Sequence, residues 1–161
     1  MKVQPTELTV FDLDGTLYES KPGPPEDPTW WYSAQSLSGH GPPGFDPRWR
    51  LGVVLLARRV VTAPWTRTAL LTGRPRHNEM ERVIRQMLHE ADLDFDHVQL
   101  KPVTVDVPTS AYKAAAVRKW ILADPTISKV TLHDDEPENI EAVRSVVLEL
   151  KRLYVPVLHR S

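Results

Sequence analysis

At 161 residues the chain suits one domain, residues 1–161, around a single core; a second core would be hard to fill. A formal net charge of −1 excludes a global pull toward nucleic acid or membrane, so any polyanion contact has to be a local patch. The absence of cysteine excludes disulfides and thiolate metal sites, and it fits a reducing compartment. The start "MKVQPTELTV" lacks the apolar run of a signal peptide, and the longest apolar stretch, "LGVVLLA" at 51–57, is too short to cross a bilayer. A cytoplasmic protein without a membrane partner is the expectation.

In chain order, Leu8 to Asp12 reads as a buried strand that stops abruptly in "DLDGT". From about residue 18 to 47 the texture changes to proline and glycine, with Trp30 and Trp31 inside. Such a segment forms neither regular helix nor central strand, and its tryptophans favour an ordered flap over a disordered linker. Arg48 to Val61 is expected as a largely buried helix. "TRTALLTG" is expected as a strand, with Thr72 or Pro75 opening the next helix. Residues 76–91 carry Met80, Val83, Ile84, Met87, Leu88 and Ala91 at helical spacing. "DHVQLKPVTV" reads as a strand with its exit, Ser110 as the cap of a helix carrying Lys113 in its first turn, and "SKVTLHDD" as a strand ending in acids. Pro137 opens a final helix, where Asp135 can serve as cap, and "RLYVPVLH" closes as a strand. Alternating strands and helices imply an α/β fold: a Rossmann-like parallel sheet with helices on both faces.

Ligands of open parallel sheets bind beyond the carboxyl ends of the strands. There this chain places Asp12 and Asp14, then Thr72-Gly73-Arg74, then Asp134-Asp135. "FDLDGT", "LLTGR", a downstream lysine and "LHDDEPEN" resemble, in order, the four motifs of the haloacid dehalogenase-like (HAD) superfamily of phosphohydrolases, over Leu8 to about Val143. The resemblance implies a Rossmann-like core and an aspartyl-phosphate mechanism that needs Mg²⁺. The stretches before and after Thr72 are too short for a separate cap domain, so an essentially capless, open site is expected. A weaker likeness links the chain to small HAD phosphatases of RNA repair and to the 3′-phosphatase domain of polynucleotide kinase.

Elementary chemistry supports the same roles. Asp12 at the strand tip can act as nucleophile, and Asp14, two residues on and pointing the same way, as general acid and then base. Gly15 lets the chain turn, and Thr16 can brace the turn and is also a candidate substrate contact. Mg²⁺ favours oxygen ligands: Asp12 and Asp134, with Asp135 close by and, by analogy with the family, the main-chain carbonyl of Asp14. Thr72 and Gly73 are candidate phosphate contacts; Arg74 is either a substrate contact or solvated surface. Lys113 is preferred over Lys101 as the cation at the phosphate, with Lys101 kept as a substrate contact. Trp30 and Trp31 either stack on a base or pin the flap, and Arg48, Arg50, Arg74, Arg76 and Lys101 are candidates for a basic patch. His77, His89 and His97 read as surface. The expected substrate is a phosphate at a nucleic-acid or nucleotide end. The alternatives are a small-molecule phosphatase or nucleotidase, and a catalytically retired module that binds a phosphorylated partner.

Overall fold

Five strands form one parallel sheet in the order β3-β2-β1-β4-β5: β1 (Glu7–Phe11), β2 (Thr66–Arg76), β3 (His97–Pro102), β4 (Lys129–Asp134) and β5 (Leu153–Leu158). The helices are α1 (Leu51–Val61), α2 (Asn78–Glu90), α3 (Thr109–Ala123) and α4 (Pro137–Glu149). The computed structural model describes residues 4–20 and 22–160; Lys21, inside the expected flap, lies outside them. Among the described residues no helix is long and apolar enough to cross a membrane.

Side-chain alternation along the strands builds a core cluster on each face of the sheet, two clusters rather than the single core expected from the chain length. Phe11 and Leu70 face α1 and α2, beside Val54, Ala57, Met80 and Ile84. Their neighbours Leu8, Val10, Ala69 and Leu71 face α3 and α4, beside Val117, Ile121, Ile140 and Val143. Pro156 costs the sheet little because, among the described residues, β5 pairs with β4 alone.

Several local expectations need correction. Of α1, Val54 and Ala57 are buried, while Leu51 and Leu55 are exposed; one stripe of the helix meets the sheet. Neither Thr72 nor Pro75 opens a helix. Strand β2 runs on to Arg76 through a register shift between Thr72 and Pro75, and His77 caps α2, its Nδ1 accepting from the Met80 amide at 3.2 Å. His77 is therefore a capping group rather than plain surface. Helix α3 starts one residue before Ser110, after Pro108. Helix α4 has Glu136 at its N-cap with no side-chain cap bond, so Asp135 does not cap it; the Glu136 amide itself donates to Asp134 Oδ1 at 3.0 Å.

The flap is ordered by short turns and buried polar anchors. Two 3₁₀ turns, Trp30–Tyr32 and Ala34–Leu37, bury Ala34, Ser36 and Leu37. Further on, the Asp46 carboxylate accepts from Tyr18 Oη at 2.7 Å, from the Gly41 amide at 3.1 Å and from Arg48 Nε at 3.0 Å. Burial alone would raise the Asp46 pKa; the bonds from Arg48 and Tyr18 outweigh it and hold the group well below the ordinary carboxylate range. Trp49, almost fully buried, donates from its ring nitrogen to the Gly41 carbonyl at 2.7 Å.

Candidate active site

The chain leaves β1 toward β2 on one side and returns through β4 on the other, so the sheet's switch point lies between β1 and β4. Phe11 pairs with His133, and the Asp12 amide donates to the His133 carbonyl at 2.9 Å. That register sets Asp12 beside Asp134 at the carboxyl ends of two neighbouring strands. Lys113, fifth residue of α3 and 1% exposed, reaches both: its Nζ donates to Asp12 Oδ1 at 2.9 Å and to Asp134 Oδ2 at 2.7 Å. Asp134 Oδ1 also accepts from Asn139 Nδ2 at 3.1 Å, and Asp12 Oδ2 from Thr16 Oγ1 at 3.3 Å.

Asp135 completes an acidic trio, with one carboxylate oxygen from each of Asp12, Asp134 and Asp135 within 4.8 Å of the others. Gly15 makes that packing possible. Its φ is +78°, and a Cβ there would overlap the Asp135 carboxylate. Gly73 is also tightly placed: a Cβ there would lie 2.7 Å from Thr109 Cγ2, and that side chain would have to shift.

The trio is short of positive charge. Burial pushes Asp12 well above the usual carboxylate range and Asp134 adds to it, while Lys113 opposes the rise. Asp135 is raised by the same combination of burial and a neighbouring Asp134. Burial also works against the charge on Lys113, but Asp12 and Asp134 outweigh it and keep the ammonium protonated. Three hard oxygen donors in this state suit a magnesium-like cation. His133 packs beside the trio: its ring stacks on Phe11 at 4.4 Å, its Nδ1 lies 3.0 Å from His159 Nε2, and burial followed by His159 pushes its pKa down to about 4, so it adds no positive charge at neutral pH.

These groups open onto a cavity of about 520 Å³ whose walls include Asp12, Asp14, Thr72, Gly73, Lys113 and Asp135, together with Trp31, Thr109, Ser110, Glu136, Glu138 and Asn139. Asn139, Thr109 and the two glutamates were not singled out from sequence. For Asn139 the signal was there, since a residue in the first turn of a helix can reach back over the strand tip before it. Thr72 is 1% exposed and its Oγ1 accepts from the Arg74 amide at 3.1 Å.

Other expected site residues lie elsewhere. Thr16 is fully buried and bonds Asp12, away from the cavity wall. Arg74 is neither solvated nor at the cavity: it is fully buried and holds Asp14 in a bidentate pair, Nε to Oδ2 at 2.9 Å and Nη2 to Oδ1 at 2.6 Å. The Asp14 carboxylate lies on Arg74, outside the acidic trio. Lys101 donates to the Val107 carbonyl and does not line the cavity. Trp31 lines it, whereas Trp30 packs in the tight space over Gly23. The basic patch is largely neutralised, with Arg48 on Asp46, Arg50 on Glu19 and Arg74 on Asp14.

Comparison with known proteins agrees with this architecture. The yeast "Uncharacterized protein YMR265C" of Saccharomyces cerevisiae is 26% identical over 182 aligned positions, covering 92% of this chain and 39% of its own length. A chain in the structure of the Pnkp1/Rnl/Hen1 RNA repair complex superposes with a TM-score of 0.61 at 16% identity, over 96% of this chain and 43% of that one. The HAD domain of the effector protein Lem4 from Legionella pneumophila gives a TM-score of 0.63 at 14% identity, over 98% of this chain and 88% of that one. This chain thus spans less than half the length of the yeast relative and of the RNA-repair chain. The family profile described as "HAD domain family 1 in Swiss Army Knife RNA repair proteins" matches residues 24–158, most of the molecule, and the chain belongs to that family.

Proposed function

We propose that the protein is a Mg²⁺-dependent phosphomonoesterase that works through an aspartyl-phosphate and acts on phosphates at nucleic-acid or nucleotide ends. One observation carries the reading: Lys113 bridges Asp12 and Asp134 inside an acidic trio that opens, past Thr72 and Gly73, onto a cavity large enough for a phosphate ester.

In the first step an Asp12 carboxylate oxygen attacks phosphorus and the bond to the leaving oxygen breaks. The leaving oxygen takes the electron pair and a proton from Asp14. In the second, water attacks the same phosphorus, Asp14 takes the water proton, and the bond to Asp12 breaks to release inorganic phosphate. Thr72, the Gly73 amide and the Lys113 ammonium hold the phosphoryl oxygens in place. A divalent cation on Asp12, Asp134 and Asp135, with the Asp14 main-chain carbonyl, would supply positive charge to the same oxygens. Trp31, at the cavity wall, is the aromatic surface available to a base.

The nucleic-acid part of the proposal draws on the family's description and on the RNA-repair complex that the fold resembles. It is tested by offering an aryl phosphate, sugar phosphates and a 3′-phosphorylated oligonucleotide, with Mg²⁺ and with chelator. Turnover of the oligonucleotide with Mg²⁺ alone is the expected result. Turnover restricted to small esters would turn the reading to a small-molecule phosphatase.

A further inference from the structure

Arg74 is a buried cation that the proposed chemistry does not use. A guanidinium has five N–H donors in a rigid fork. Four of them are placed: Nε and Nη2 on the two Asp14 oxygens, and Nη1 on both the Trp31 carbonyl, at 2.7 Å, and the Ser36 hydroxyl. The fork also lies over the Trp31 ring, 4.6 Å from its centroid. Asp14 and Trp31 both line the cavity, whereas Arg74 has no exposed surface. One side chain at the tip of β2 therefore holds the two 3₁₀ turns of the flap and the carboxylate after β1 in a single hydrogen-bonded unit.

We propose that Arg74 is a positioning residue that joins the flap to Asp14, so that the acid–base carboxylate is aligned at the cavity only while the flap is seated. The inference rests on the acid–base role given to Asp14 above. Both Asp14 oxygens accept from one planar donor pair, which fixes the orientation of the carboxylate as well as its place, and each oxygen keeps a second lone pair on which the catalytic proton can be carried. Lysine would keep the charge but has no fork, so it cannot serve Asp14, Trp31 and Ser36 together. Any movement of the flap that shifts the Trp31 carbonyl must either carry Arg74 along or leave buried donors unpaired, and the latter is unfavourable.

The test separates positioning of an acid from plain structural damage by the leaving group. An alkyl phosphate needs its leaving oxygen protonated; a nitrophenyl phosphate hardly does. Arg74→Lys should lower kcat for glycerol phosphate about tenfold more than for the nitrophenyl ester, with KM little changed, as is also expected of Asp14→Asn, and Ser36→Ala should show the same pattern more weakly. In parallel, backbone hydrogen exchange over residues 30–37 should rise in Asp14→Ala and in Arg74→Lys but not in Ser110→Ala. Equal losses on the two esters, or unchanged exchange in the flap, would overturn the inference. If the wild-type protein hydrolysed neither these esters nor the 3′-phosphorylated oligonucleotide, the phosphatase reading would fail, and the exchange comparison would still decide whether Arg74 ties the flap to Asp14.

Discussion

The strand tips and the flap both bury charge, but they balance it differently. At the tips three carboxylates, Asp12, Asp134 and Asp135, face the single ammonium of Lys113. Among the described residues of the flap and its anchors, acid and base are matched one to one away from the cavity: Arg48 with Asp46, and Arg50 with Glu19. A balanced set of pairs is complete as it stands and works as framework. An excess of one sign in a low-dielectric place is costly and invites a counter-ion. Under the proposed function, the difference separates groups that hold the chain from groups that would hold a ligand.

The contrast breaks most visibly at Asp12. Asp12→Asn should reduce phosphatase turnover by about a thousandfold or more while circular dichroism and the unfolding midpoint stay close to wild type. Next comes Lys113→Met, which leaves Asp12 and Asp134 facing each other without a cation. It should lose about 3–5 kcal/mol of stability by denaturant unfolding in chelator, and recover part of that on adding Mg²⁺. Loss without recovery would mean that the tips hold no cation and are merely structural.

Asp46→Asn sharpens the other side. Removing the acceptor of several buried donors should cost about 2–3 kcal/mol at neutral pH and leave the metal response untouched. The Asp46 pKa is lower in the folded protein than in the unfolded chain. Its contribution is therefore fully present above the unfolded value of about 3.9 and is lost as pH falls toward the folded value. Denaturation curves at successively lower pH should show the wild-type protein losing stability in that window more steeply than the variant. The smallest effect is expected at Lys101→Ala, whose ammonium serves a loop carbonyl: kcat/KM should change by less than about twofold.

What could be read from sequence follows the range of the interactions involved. The strand tips were legible because "DLDG" and "HDDEPEN" are local patterns, and a parallel sheet brings strand ends to one side whatever the loops do. Lys113 was legible as a lysine early in a helix, where only nearby acids offset an unfavourable dipole. Arg74 was not: an arginine after a strand reads as solvated unless its partners are known, and Asp14 lies 60 positions away in the chain. Asp46 was invisible for the same reason, since Tyr18 approaches it across 28 positions. Thr72-Gly73-Arg74-Pro75 misled because proline after a strand usually marks a helix start, whereas here β2 absorbs the stretch through a register shift and His77 caps the helix.

The most direct measurement is to acid-quench the protein during turnover of a phosphate ester with Mg²⁺ and locate any phosphoryl group by mass spectrometry. The phosphoryl group is expected on Asp12, absent with chelator and absent in Asp12→Asn. Steady turnover with no phosphorylated protein, or with the group on another residue, would contradict the assignment of Asp12 as nucleophile.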